Sequence, residues 1–182
     1  MRCSWVDLKD KDYVHYHDYE WGVPVHDDGL LFEMLILEGF QAGLSWQCVL
    51  HKRGNFRTAF DNFDAQKIAF YDERKISELV QDQGIIRHKG KIKAAVKNAQ
   101  IFLEIEKEFG SFSTYIWGWI KGKTIISDGN ETRSELSDKI SKDLKKRGMS
   151  FVGSTIIYSY LCAIGIINAH EINCDFKYKT SP

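Results

Sequence analysis

The 182 residues suffice for one domain with a sizeable buried core, and 25 Lys and Arg balance 25 Asp and Glu. No run reaches the ~20 apolar residues of a membrane span, and Met1-Arg2-Cys3-Ser4-Trp5 lacks the apolar core of a signal peptide, so a cytoplasmic protein without a membrane partner is expected. In that compartment four cysteines speak for metal or free thiols over disulfides.

Charge is unevenly spread. Residues 1–38 hold nine Asp/Glu against three Lys/Arg, whereas Gly84 to Lys97 holds five basic residues and no acidic one. Lys139 to Arg147 holds five more against one Asp. Each basic run reads either as a solvated helix face or as a footprint for phosphates.

In chain order, residues 1–29 show little helical period but carry Trp5, Tyr13, Tyr16, Trp21 and three histidines. Asp28 is expected to cap a helix through Leu30, Leu31, Met34, Leu35 and Leu37 to about Glu38. Gly39 and Gly43 then permit a tight turn, and Ser45 opens a helix through Trp46, Val49, Leu50 and Phe56. Asp64 and Asp72 cap two short helices. Gly84-Ile85-Ile86-Arg87-His88-Lys89 feeds a long helix whose apolar positions Ile92, Ala95, Val96, Ala99, Phe102, Leu103 and Ile105 fit the 3.6 period. It stops at Gly110, and Ser113 restarts a short helix. Residues 120–133 read as an exposed loop or small hairpin. Ser137 caps a basic helix ending at Gly148, an apolar helix covers Thr155–Ile164, and a last turn carries His170 and Cys174. No long strict alternation occurs, so the fold class is all-α, in one domain over 1–182 with two helical lobes.

Three constellations carry chemistry. His170 and Cys174, four apart, share one face if helical; with Cys3 and His17 they form a Cys₂His₂ set that a tetrahedral zinc accepts. Four protein ligands make such a site structural, joining segments 1–29 and 165–176. The spacing alone leaves free thiols and ordinary histidines open. Second, Lys145, Lys146 and Arg147, then Gly148, Gly153 and a helix opened by Ser154 and Thr155, form either a helix–hairpin–helix that meets phosphates with backbone N–H groups or a plain αα-corner. Third, Glu38 beside Tyr16, Trp46, Trp21 or Tyr13 suits a flat, amino-bearing or cationic ring, unless Glu38 faces water.

With these in hand, the chain resembles the bacterial DNA-3-methyladenine glycosylase I family. The resemblance lies in Tyr16-His17-Asp18-Tyr19-Glu20-Trp21-Gly22-Val23-Pro24, Leu37-Glu38-Gly39 through Ala42-Gly43-Leu44-Ser45-Trp46, and Gly84-Ile85-Ile86-Arg87-His88. It continues in Leu144-Lys145-Lys146-Arg147-Gly148, Phe151-Val152-Gly153 and His170…Cys174. It implies a helix–hairpin–helix glycosylase fold and release of 3-methyladenine from alkylated double-stranded DNA by a chain expected to act as a monomer. It implies one structural zinc on Cys3, His17, His170 and Cys174. Glu38 becomes the carboxylate on the base, Tyr16 and Trp46 its aromatic contacts, Trp21 and Tyr13 further wall. Gly43 and Leu44 become the loop that probes the gap in the duplex. The wider superfamily's catalytic Asp has no counterpart in Ile166-Ile167-Asn168-Ala169-His170. A non-catalytic damage- or purine-binding module is the alternative that this departure keeps open.

Overall fold

The computed structural model describes residues 1–178; the last four residues of the expected domain, 179–182, lie outside the described residues. The chain is mostly helical: α1 Lys11–Tyr19, α2 Asp28–Gln41, α3 Trp46–Leu50, α4 Arg53–Ala59, α5 Ala65–Ile68, α6 Glu73–Gln81, α7 Lys89–Phe109, α8 Phe112–Gly118, α9 Glu135–Arg147 and α10 Ser154–Ala163. Two strands of two residues, β1 Ile125–Ile126 and β2 Ile167–Asn168, pair in parallel, Ile125 opposite Ile167.

Helix α2 is the centre. Every residue from Leu31 to Phe40 is buried, and α3, α7, α8 and α10 pack around it. A helix apolar on nearly all sides has to be enclosed. Its two buried acids meet different fates. Glu33 accepts from Arg53 and Arg57, and Arg53 also pairs with Glu20, so α1, α2 and α4 are tied by charge. Glu38 has no such partner.

Several local expectations change. The N-terminal segment does contain a helix, α1, because Asp10 caps it by accepting from the N–H groups of Asp12 and Tyr13. Helix α2 is capped by Asp27, not Asp28; the Asp28 carboxylate instead accepts from Phe112 and Ser113 at the start of α8, whose own cap is Ser111. The helix expected from Ser45 through Phe56 divides at His51 and Lys52. There His51 reaches Asp10, and Lys52 reaches the carbonyls of Gln83 and Gly84. Ser137 is the third residue of α9, not its cap; it completes a capping box with Ser134.

The last third of the chain departs most. Residues 120–133 form no hairpin: β1 pairs with β2, some forty residues on, so the all-α reading is amended by one parallel bridge. After α10 the chain turns at Gly165 and extends into β2, which leaves His170 and Cys174 in irregular chain rather than on a helix face. The termini nevertheless meet. The Met1 ammonium pairs with Asp175, Ser4 bonds Glu171, and Cys3, Val6 and Cys174 form a small apolar cluster apart from the main core.

Candidate active site

Between α1, the starts of α3 and α10, and the loop after β1 lies a cavity of about 250 Å³. Glu38, Tyr16, Trp46, Trp21 and Tyr13 all line it, so the five residues singled out for the base converge. At its closed end Glu38 is 2% exposed, and its Oε2 has no hydrogen-bond partner among the described residues. Burial without a counter-charge pushes its carboxyl up to about 8. The Trp46 indole Nε1 is likewise buried and unpartnered. Two orphaned polar atoms in one aromatic cavity are a ligand's hydrogen-bonding pattern in negative.

Tyr16 and Trp46 leave no room for a flat ring between them. The rings of Tyr16 and Trp46 are 5.2 Å apart and tilted 43°, so they pack on one another. A ring sandwiched between them would need about 7 Å, two van der Waals contacts. They present one angled wall; Trp5, Tyr13 and Trp21, within 5.2 Å of each other through Trp5, form another.

The sequence reading missed much of the opposite side. Gly129, Glu131 and Thr132 come from the loop after β1, Tyr158, Ser159 and Cys162 from α10, and Ala169 from the stretch after β2. The Tyr158 hydroxyl bonds Ser127 and Glu131. Gly129 adopts φ +84°, and a Cβ there would stand 2.6 Å from the Ala169 carbonyl oxygen, so only glycine lets this loop close against β2. No local pattern in residues 120–133 signals the contact, because it depends on pairing with β2.

Beside the cavity, Gly43 and Leu44 sit at the exposed turn between α2 and α3, and Leu44 is 43% exposed. Buried Lys91 donates to the carbonyls of Phe40 (2.9 Å) and Ala42 (2.6 Å), and thus belongs to the C-terminal cap of α2 rather than to a phosphate footprint. Helix α9 closes on Gly148, and Asn98 of α7 clamps the following turn by bonding both N–H and carbonyl of Ser150. Gly153 caps α10 without a side-chain bond, Ser154 bonds Ser137, and Thr155 faces the cavity rim. Lys145 and Lys146 are exposed and make no ion pair among the described residues. Arg147 differs: it bonds Glu108 (2.6 Å) and Asp143 (2.8 Å) and lies over Phe109 and Tyr115, so it is structural and not free for phosphate.

At the chain ends, ligand atoms of Cys3, His17 and Cys174 lie within 4.8 Å of one another. His170 stands next to them, its ring 5.0 Å from that of His17 and its buried Nε2 without a partner among the described residues. Burial, chiefly, lowers both imidazoles, His170 to about 4, and raises the Cys3 thiol. Gly22, at φ +78°, passes so close that a Cβ would stand 2.9 Å from the His170 ring. Two neutral imidazoles and two thiols gathered at one buried spot are a soft donor set of the chemistry that a Cys₂His₂ zinc takes.

The methyladenine glycosylase family model matches residues 5–178. The chain belongs to that family. It is 46% identical over 178 residues to DNA-3-methyladenine glycosylase 1 of Escherichia coli strain K12, covering 95% of each chain. A crystal structure of 3-methyladenine DNA glycosylase I superposes with a TM-score of 0.92 at 45% identity, over 96% of this chain and 98% of that one. A variant of 3-methyladenine DNA glycosylase I in complex with 3-methyladenine superposes equally well, TM-score 0.92 at 35% identity and 97% of each chain. No helix among the described residues is long and apolar enough to cross a membrane.

Proposed function

We propose that the protein is a monofunctional DNA repair glycosylase that flips 3-methyladenine out of alkylated duplex DNA and hydrolyses its N-glycosidic bond, leaving an abasic site. The observation that carries this reading is the buried Glu38 carboxyl in an aromatic cavity, with its Oε2 unpartnered among the described residues. A base inside a duplex cannot be enclosed, so it must be extruded, at a cost of about a few kcal/mol that is least for a damaged base. Methylation at N3 places a positive charge on the purine and weakens its bond to the sugar. The base then departs neutral, taking the bonding electrons, and needs no proton from the protein. Water adds to the sugar carbon and gives up a proton.

Glu38 accepts hydrogen bonds from the exocyclic amino group and its ionised form pairs with the charge, while the Trp46 N–H donates to the ring's edge. Normal adenine is neutral and a poor leaving group, so it gains neither advantage. An Asp after α10 is dispensable on this scheme, in keeping with Asn168 being wholly buried. The turn between α9 and α10 acts as the helix–hairpin–helix: Lys145 and Lys146 supply charge, Gly148 ends the first helix with its own N–H bonded to the Lys145 carbonyl, and the backbone N–H groups at Gly153, Ser154 and Thr155 meet phosphates without reading sequence. Gly43 and Leu44 fill the gap the nucleotide leaves. Cys3, His17, His170 and Cys174 hold one zinc, which in a closed four-ligand site supplies folding energy at the chain ends and no catalysis.

The test is direct: purified protein incubated with methylated duplex DNA should release free 3-methyladenine, detected by chromatography. Binding to the same DNA without any release would instead make it a recognition module.

A further inference from the structure

A buried imidazole presents one nitrogen to a ligand only if the other is held as a donor. In His170 that holding atom is identifiable. Asn168 Oδ1 lies 2.9 Å from His170 Nδ1 and also accepts the His170 backbone N–H at 3.2 Å. The amide cannot be turned round, because Asn168 Nδ2 donates to the Lys177 carbonyl at 2.6 Å. An amide oxygen only accepts, so Nδ1 carries the proton and Nε2 keeps its lone pair. That buried Nε2 has no partner among the described residues.

Asn168 also touches the base cavity's wall. The Asn168 backbone carbonyl accepts from Ser127 N–H at 3.0 Å, at the root of the loop that brings Glu131 to the cavity. Lys177, itself 3% exposed, bridges the carbonyls of Ser127 and His170 at 2.6 Å each. Trp21, another cavity residue, packs 4.6 Å from the His170 ring. Displacing that ring therefore displaces two parts of the wall.

We infer that Asn168 is a positioning residue for the metal centre: it fixes the His170 tautomer and ring for the ion, and strand β2 transmits the ion's occupancy to the base cavity. The inference rests on the zinc reading of Cys3, His17, His170 and Cys174. Asn168→Leu removes both amide functions at similar volume; Asn168→Asp keeps the acceptor. Zinc affinity is measured by chelator competition and affinity for free 3-methyladenine by tryptophan fluorescence. Asn168→Leu should bind zinc about ten- to a hundredfold more weakly, with Asn168→Asp within about threefold of the parent. Base affinity of Asn168→Leu should drop at limiting zinc and recover at excess zinc.

Unchanged zinc affinity in Asn168→Leu, or equal loss in Asn168→Asp, overturns the inference while leaving the zinc reading intact. A base affinity indifferent to zinc overturns the transmission to the cavity. Should Asn168→Leu fail to fold, ¹⁵N shifts of the parent's His170 decide: a protonated Nδ1 with Nε2 bound to metal supports the assignment, and the reverse tautomer refutes it. A parent that takes up no zinc in native mass spectrometry removes both readings.

Discussion

Glu38→Gln should make the protein more stable and less active at once. The Glu38 carboxyl, at about 8 in the fold, stands at 4.5 in an ordinary exposed glutamate. The fold therefore keeps a proton that the unfolded chain has lost. Stability is full below pH 4.5, declines by about 1.4 kcal/mol per pH unit up to about 8, and is level above it. At pH 7, 2.5 units above 4.5, the loss is about 3 kcal/mol. Glutamine occupies nearly the same volume and never ionises, so the variant regains that amount, or roughly 6 to 12 °C in Tm for a chain of this size. Urea or thermal unfolding at pH 5, 6, 7 and 8 measures it: the two proteins converge near pH 5 and separate above. Base release by the variant should fall by about a hundredfold, the worth of one preorganised charge on a cationic centre. A variant no more stable at pH 7, with the parent's pH slope, would mean that Glu38 is already ionised in the fold, and the account of a poised, unpartnered acid would fail.

Replacing Lys145 and Lys146 by Ala should weaken DNA binding at all sequences and lower the log–log salt slope by about 1 per lysine, read by fluorescence anisotropy between low and high salt. Arg147→Ala should leave that slope nearly unchanged and show instead in unfolding, since its partners are Glu108 and Asp143. Lys91→Met strips the end of α2 of two hydrogen bonds and should destabilise by about 2 kcal/mol in chemical denaturation. Glu131→Gln, at the cavity's open side, should lower kcat/KM on alkylated DNA about fivefold, with the affinity for neutral free base unchanged, because only the charged lesion feels a carboxylate across a wet rim.

The sequence by itself determined the elements whose signals are local. The apolar helical run from Leu30 to Leu37, the 3.6 period of α7, the caps at Asp64 and Asp72, and the stop at Gly110 are all written within a turn or two of where they act. It also named five residues, Glu38, Tyr16, Trp46, Trp21 and Tyr13, that the fold brings to one cavity, since a carboxylate within nine residues of a tryptophan and a glycine turn could be read with the family motifs.

Only the tertiary structure decided how equal-looking charges divide. Lys91 and Arg147 read as members of basic runs, yet each is held by groups from distant elements, the carbonyls ending α2 and the acids Glu108 and Asp143. Glu33 and Glu38 sit five apart on one helix, and nothing in their spacing says that two arginines neutralise one while the other stays unpartnered. The wall built from residues 129–132 was equally hidden, because the pairing of Ile125 with Ile167 that creates it is a non-local bond with no periodic trace. Local propensity depends on neighbours in sequence; burial and charge pairing depend on neighbours in space, and those exist only once the chain has closed on itself.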